Sequence, residues 1–122
     1  MLDHLCLRVP ATKFTEVVKF YTTILAPLGY KNIMHSPSFA GFGVDKPYFS
    51  IVPTEGQSGN EIHLAFSAKD RAAVEAFYEA GVGAGAKENG KPGYRPYHEH
   101  YFGAFVIDPV GNNIEACVHD PE

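Results

Sequence analysis

Gly103-Ala104-Phe105-Val106-Ile107-Asp108-Pro109-Val110-Gly111-Asn112-Asn113-Ile114-Glu115-Ala116 is the stretch on which the fold turns. It holds two strand-like runs, near 101–107 and 112–118, joined by Asp108-Pro109-Val110-Gly111-Asn112, residue types that set up a tight turn. In the second run Ile114, Ala116 and Val118 fall on one face and Glu115 on the other, because successive strand side chains alternate. A carboxylate set against an apolar face is a candidate for chemistry.

Working back towards the N-terminus, residues 61–67 alternate as well, with Ile62, Leu64 and Phe66 opposite Glu61, His63 and Ala65. A helix pattern starts near Asp70, turns Ala73, Val74, Phe77 and Tyr78 inward, and ends among Gly81, Gly83 and Gly85. The segment 83–100, with Asn89-Gly90 and Pro92-Gly93, reads as a turn-rich loop with at most one short strand. Loops of that length in a compact domain are often functional.

The first half follows the same plan. Leu5, Leu7 and Val9 alternate with His4, Cys6 and Arg8. Phe14, Val17, Val18, Tyr21, Ile24, Leu25 and Leu28 then make a helical stripe that Gly29 stops. Strand-like runs follow near 30–35, 39–44 and 47–52. The halves superpose in order: His4-Leu5 on His63-Leu64, Phe20-Tyr21 on Phe77-Tyr78, and Val44-Asp45-Lys46-Pro47 near Ile107-Asp108-Pro109. The reading is an α+β chain in which one β-α-β-β-β unit is used twice, over 1–56 and 61–122, with Gln57-Ser58-Gly59-Asn60 as connector.

Composition bounds the function. The 122 residues suit one compact domain or two small modules sharing a core, and 9 Phe and 7 Tyr supply apolar bulk. A formal net charge of -4 without a Lys/Arg cluster argues against nucleic acid as partner. Cys6 and Cys117 are too few for a disulfide framework, so a reduced, cytoplasmic setting is expected. No apolar run approaches the ~20 residues that span a bilayer, and Met1-Leu2-Asp3-His4 lacks a signal-peptide pattern.

Three residues break the apolar faces of their strands: His4, His63 and Glu115. If the repeat brings the two histidines together, two imidazoles and one carboxylate make a nitrogen/oxygen set for a divalent transition metal with coordination positions left open. Each residue alone also suits a solvated strand position.

These motifs resemble the vicinal oxygen chelate superfamily, which contains glyoxalase I, bleomycin-resistance proteins and extradiol dioxygenases. The resemblance covers nearly the whole chain. It rests on Asp3-His4-Leu5, on Glu61-Ile62-His63-Leu64-Ala65-Phe66, and most specifically on Gly103 to Ala116. It implies two βαβββ modules forming a cupped eight-stranded mixed sheet with helices outside, and metal ligands projecting into the cup. It places His4, His63 and Glu115 at the ligand positions of the first, fifth and eighth strands, around a divalent ion such as Fe, Mn, Zn or Ni. It also implies a small-molecule substrate and a homodimer. Glyoxalase I takes a fourth ligand from the fourth strand; counting register from Glu115 puts Phe49 there, with Ser50 on the other face, and a phenyl ring cannot ligate.

Further candidates lie in Tyr94-Arg95-Pro96-Tyr97-His98-Glu99-His100-Tyr101. His98, His100 or Tyr101 could move protons at an open metal position, and Arg95 could clamp a carboxylate. The alternative is a polar loop whose tyrosines pack the rim. Strand periodicity sets His98, His100 and Phe102 against Tyr101 and Gly103, and one set faces the cup. Arg8 shares the face of His4 and is a second candidate for an anionic group. Cys6 and Cys117 read as small wall residues, His35 and His119 as surface residues, and Phe39, Phe42 and Phe49 as core or as an aromatic pocket. Two function classes follow: a glyoxalase-like metalloenzyme with lyase, isomerase or dioxygenase chemistry, and a metal-free binder of a planar small molecule. A dimeric scaffold with vestigial sites is a third.

Overall fold

A computed structural model describes residues 2–56 and 62–121, so the connector read at 57–60 lies outside the described residues. The chain runs β1 (Leu5–Pro10), α1 (Phe14–Leu25), β2 (Lys31–Ser36), β3 (Phe39–Gly43), β4 (Pro47–Thr54), β5 (His63–Ser67), α2 (Arg71–Gly83), β6 (Lys87–Tyr94), β7 (Phe102–Ile107) and β8 (Asn113–Val118). The α+β plan and the repeated unit are as the sequence predicts. One sheet has the order β1-β4-β3-β2 and the other β5-β8-β7-β6. In each, the first strand of the unit lies parallel to the last, and the other pairs are antiparallel.

Local chemistry explains the element ends. Helix α1 buries Phe14, Val17, Val18, Phe20, Tyr21, Ile24 and Leu25. After one 3-10 turn, Gly29 takes a left-handed φ of 85°, which closes the helix by the Tyr30 N–H to Leu25 carbonyl bond. Helix α2 is capped by Asp70, whose Oδ1 accepts from the Ala73 N–H at 2.8 Å.

The two sheets share one hydrophobic core and are not hydrogen-bonded into a continuous eight-stranded sheet; both remain open. They are joined by side chains. Phe49 of β4 lies 5.6 Å, edge to face, from Phe66 of β5, and Tyr21 of α1 lies 4.9 Å from Phe49. The helices touch one another on this core side. No described helix is long and apolar enough to cross a membrane.

The Asp108 turn binds the two units together. Its carboxylate accepts from the backbone N–H of Val110 and Asn112 at 3.0 and 2.8 Å, and from the Tyr21 hydroxyl at 2.5 Å. Asn112 in turn accepts from the Ile62 N–H at 3.0 Å, fixing the entry to β5. Burial, and then the Asp108 charge, push the Tyr21 hydroxyl well above its ordinary pKa.

The segment read as a loop contains an eight-residue strand, β6. Among the described residues its backbone ladder is with β7 alone, and its register shifts around Gly90. An edge strand needs one ladder, so Pro92 and scattered polar residues are tolerated and no alternation marks it in the sequence.

Candidate functional site on the open face of the second sheet

Parallel pairing of β5 with β8 sets Ala65 opposite Glu115, so His63 and Glu115 stand on adjacent strands and the same face. The His63 Nε2 atom is 3.0 Å from Oε1 of Glu115, and its Nδ1 atom is 3.1 Å from the Asn113 carbonyl oxygen. A carbonyl only accepts, so Nδ1 carries a proton. Nε2 then confronts a carboxylate oxygen, which requires a proton or a cation between them. An imidazole whose far nitrogen is fixed by a carbonyl is the usual support of a metal-binding histidine.

Glu115 is only 2% exposed although it ends in a carboxylate. Its second oxygen, Oε2, accepts from the Tyr101 hydroxyl. Burial, then the bond to Glu115, raise the Tyr101 pKa far above the ordinary tyrosine range, so this phenol keeps its proton and acts as a donor. Cys117 is buried beside Tyr101, and burial raises its thiol pKa as well. Around them, the His119 and His98 rings lie 4.7 and 6.1 Å from Tyr101, with His98 and His119 5.5 Å apart. The Phe105 ring stacks 6.0 Å from the His63 imidazole.

His4 is not part of this group. It is exposed just before β1, where it pairs with Asp3 at 2.7 Å, while Asp3 also holds Lys46 at 3.0 Å. A cavity of about 240 Å³ beside it is walled by Leu5, Phe49, Leu64, Ala65 and Ser67, the downstream part of β5 rather than His63. Among the described residues no three His, Cys, Asp or Glu side chains converge enough to hold a metal ion. Within a single described chain the structure therefore brings His63 and Glu115 together and sets His4 apart from them.

No protein-family profile and no curated protein matches the chain. Solved structures do. A glyoxalase/bleomycin resistance protein from Albidiferax ferrireducens T118 is 27% identical, with 98% of each chain covered and a TM-score of 0.81. A glyoxalase/bleomycin resistance protein/dioxygenase family enzyme from Burkholderia phytofirmans PsJN is 20% identical over 98% of each chain, with a TM-score of 0.75. A lactoylglutathione lyase from Agrobacterium tumefaciens is 14% identical over 96% of this chain and 92% of its own, with a TM-score of 0.69. By fold, the chain belongs to the vicinal oxygen chelate superfamily.

Within this superfamily fold the remaining candidates can be placed. Phe49 is 2% exposed in the core, and the register assigns it differently from the count made on sequence. Cys6 pairs with Ser50 as Ala65 pairs with Glu115, so Ser50 stands at the position equivalent to Glu115 and Phe49 faces the helices. Phe49 is therefore off the face equivalent to that of Glu115, although it still walls the cavity beside His4. Tyr101 and Gly103 form the set that faces Glu115, whereas Phe102 turns towards Arg71 and Tyr94. Residues 95–101 are not strand: His100 has a φ of 60° and sits 3.4 Å from Glu99, outside the Glu115 group. Arg8 is exposed on β1 with Cys6. Sequence reasoning missed Phe105 and Gly103, whose signal was their position opposite Glu115 and Cys117 in the β7–β8 hairpin. His119, read as a surface residue, is exposed, and period two from Glu115 and Cys117 carries it to the face of that group.

Proposed function

We propose that the chain is a glyoxalase-like enzyme that chelates a small substrate with two neighbouring oxygens on a divalent metal held by His63 and Glu115. The observation that carries this reading is the His63 Nε2 to Glu115 Oε1 approach of 3.0 Å, with Nδ1 already committed to the Asn113 carbonyl. A metal in the place of the intervening proton suits both donors, and the buried carboxylate would gain the compensation its burial demands. Such a metal, when bound, polarises substrate oxygens and stabilises an enolate-like charge.

Two donors need a third. His4 is exposed just before β1, and β1 and β5 are both outer strands of open sheets. In this reading a second copy of the chain lays its first sheet over the second sheet of the first copy and brings its own His4 to the pair. A homodimer would then hold two such centres. Tyr101 holds its proton on the hydroxyl and fixes Glu115 Oε2, leaving Oε1 directed at His63. It is a positioning residue in this account, and the exposed imidazoles of His98 and His119 beside it are the groups placed to relay a substrate proton. His100 has no part.

A metal-free binding protein is the second reading, favoured by the exposed aromatic Tyr97 against Tyr101 at 5.1 Å. Elemental analysis separates the two. The enzyme reading expects about one divalent ion per chain and its loss in His63→Ala; a wild-type protein that retains no metal at any loading, yet binds planar molecules, supports the other.

A further inference from the structure

We infer that the open face of the second sheet selects a ligand with a carboxylate at one end, gripped by Arg95, and its paired oxygens at the other, beside His63 and Glu115. The inference rests on the reading above for the oxygen end only. Its carboxylate end stands on separate geometry.

Residues directly opposite across a ladder share a face. Gly90 pairs with Phe105 and Gly93 with Gly103, while Phe105 pairs with Glu115 and Gly103 with Cys117. Gly90, Gly93, Phe105, Gly103 and Glu115 therefore look out of the same side of the sheet. The Arg95 guanidinium lies on that side. A Cβ on Gly90 would stand 3.1 Å from its Nη2, and a Cβ on Gly93 3.1 Å from its Nη1. Two glycines thus leave a bay that the guanidinium fills.

The group is anchored and still has capacity. Nη2 donates to the Lys91 carbonyl at 2.8 Å and Nη1 to the Tyr94 carbonyl at 3.3 Å. A guanidinium has five N–H donors, so backbone bonds leave several to spare. Among the described residues no carboxylate pairs with Arg95. Its charge instead lies 5.3 Å from the centroid of the Phe105 ring, the ring that stacks with His63.

From β6 to β8 is two strand spacings, so the Gly90 backbone beneath the guanidinium and the Glu115 backbone are about 10 Å apart, with Phe105 as an apolar floor between them. That span and floor fit a flat six-membered ring with a short acidic tail. A guanidinium that served only to tie its own loop would cost stability when replaced but would leave ligand choice unchanged.

Calorimetric titration of the purified protein with three probes tests this: dihydrocaffeate (a catechol with a propanoate tail), the uncharged propylcatechol, and phenylpropanoate. Dihydrocaffeate is expected to bind about tenfold or more tightly than propylcatechol, as a charge-assisted fork predicts. Added salt should shrink the margin, Arg95→Gln should abolish it, and Arg95→Lys should keep part of it. Equal binding of the acid and neutral catechols to wild type overturns the inference, as does a margin that survives in Arg95→Gln. If Arg95→Gln melts early, the wild-type comparison and Arg95→Lys still decide. Phenylpropanoate that binds through Arg95 while propylcatechol does not bind would leave the acid site standing and remove the oxygen-chelating reading. No binding by any probe removes the acid site.

Discussion

A Cβ placed on Gly103 would lie 3.0 Å from Oε2 of Glu115 and 3.2 Å from Cε1 of Tyr101. The space that lets tyrosine and carboxylate meet is the missing side chain of β7. Gly103→Ala is therefore expected to lower stability by about 1–3 kcal/mol through overpacking, and to disturb Glu115 more than any backbone preference would. Denaturant unfolding checks the first effect and metal affinity the second.

Tyr21 and Tyr101 both have hydroxyl pKa values raised by burial and by a neighbouring carboxylate. The unfolded chain releases these protons near pH 10, the folded chain later. Their contribution to stability is thus complete below about pH 10 and is lost as pH rises through the folded values. Ultraviolet titration should reveal late-ionising tyrosines, one of which disappears in Tyr101→Phe. Tyr101→Phe should also blunt the alkaline loss of stability.

Phe49 and Ser50 separate the core face from the open face of β4. Phe49→Ala should destabilise the chain by about 3–5 kcal/mol, because Tyr21, Phe42 and Phe66 lose a buried ring. Ser50→Ala should cost under about 1 kcal/mol. Comparable effects from the two, measured by chemical denaturation, would contradict the register.

Asp108 satisfies two backbone N–H groups, the Asn112 amide and the Tyr21 hydroxyl. Asp108→Ala leaves buried donors without partners and is expected to cost roughly 3 kcal/mol or more, with Asp108→Asn milder. Thermal melting of the pair of variants checks the order.

Much of the fold was legible because one buried face imposes a period. Leu7 and Val9 of β1, the α1 stripe and the Ile114-Ala116-Val118 face all carried it. Strand β6 did not, since an edge strand with Pro92 and two glycines needs neither alternation nor two ladders. The Phe49/Ser50 slip has a similar cause: Tyr48-Phe49-Ser50-Ile51-Val52 is nearly continuous in bulk, so counting could not fix which residue faces the helices. His63 and Glu115 were readable as site residues and are neighbours. Aligning His4 with His63 gave equivalent positions in two units, but equivalence under a repeat does not say which copies face each other.

Mixed dimers test that last point most directly. His4→Ala and His63→Ala chains, each carrying a different purification tag, would be co-expressed and the hybrid isolated for metal analysis. A centre shared between copies leaves either homodimer without its full ion content but restores one complete centre, and about one bound ion, to the hybrid. A hybrid that binds no more metal than its parents, or parents that bind as much as wild type, would contradict the shared centre.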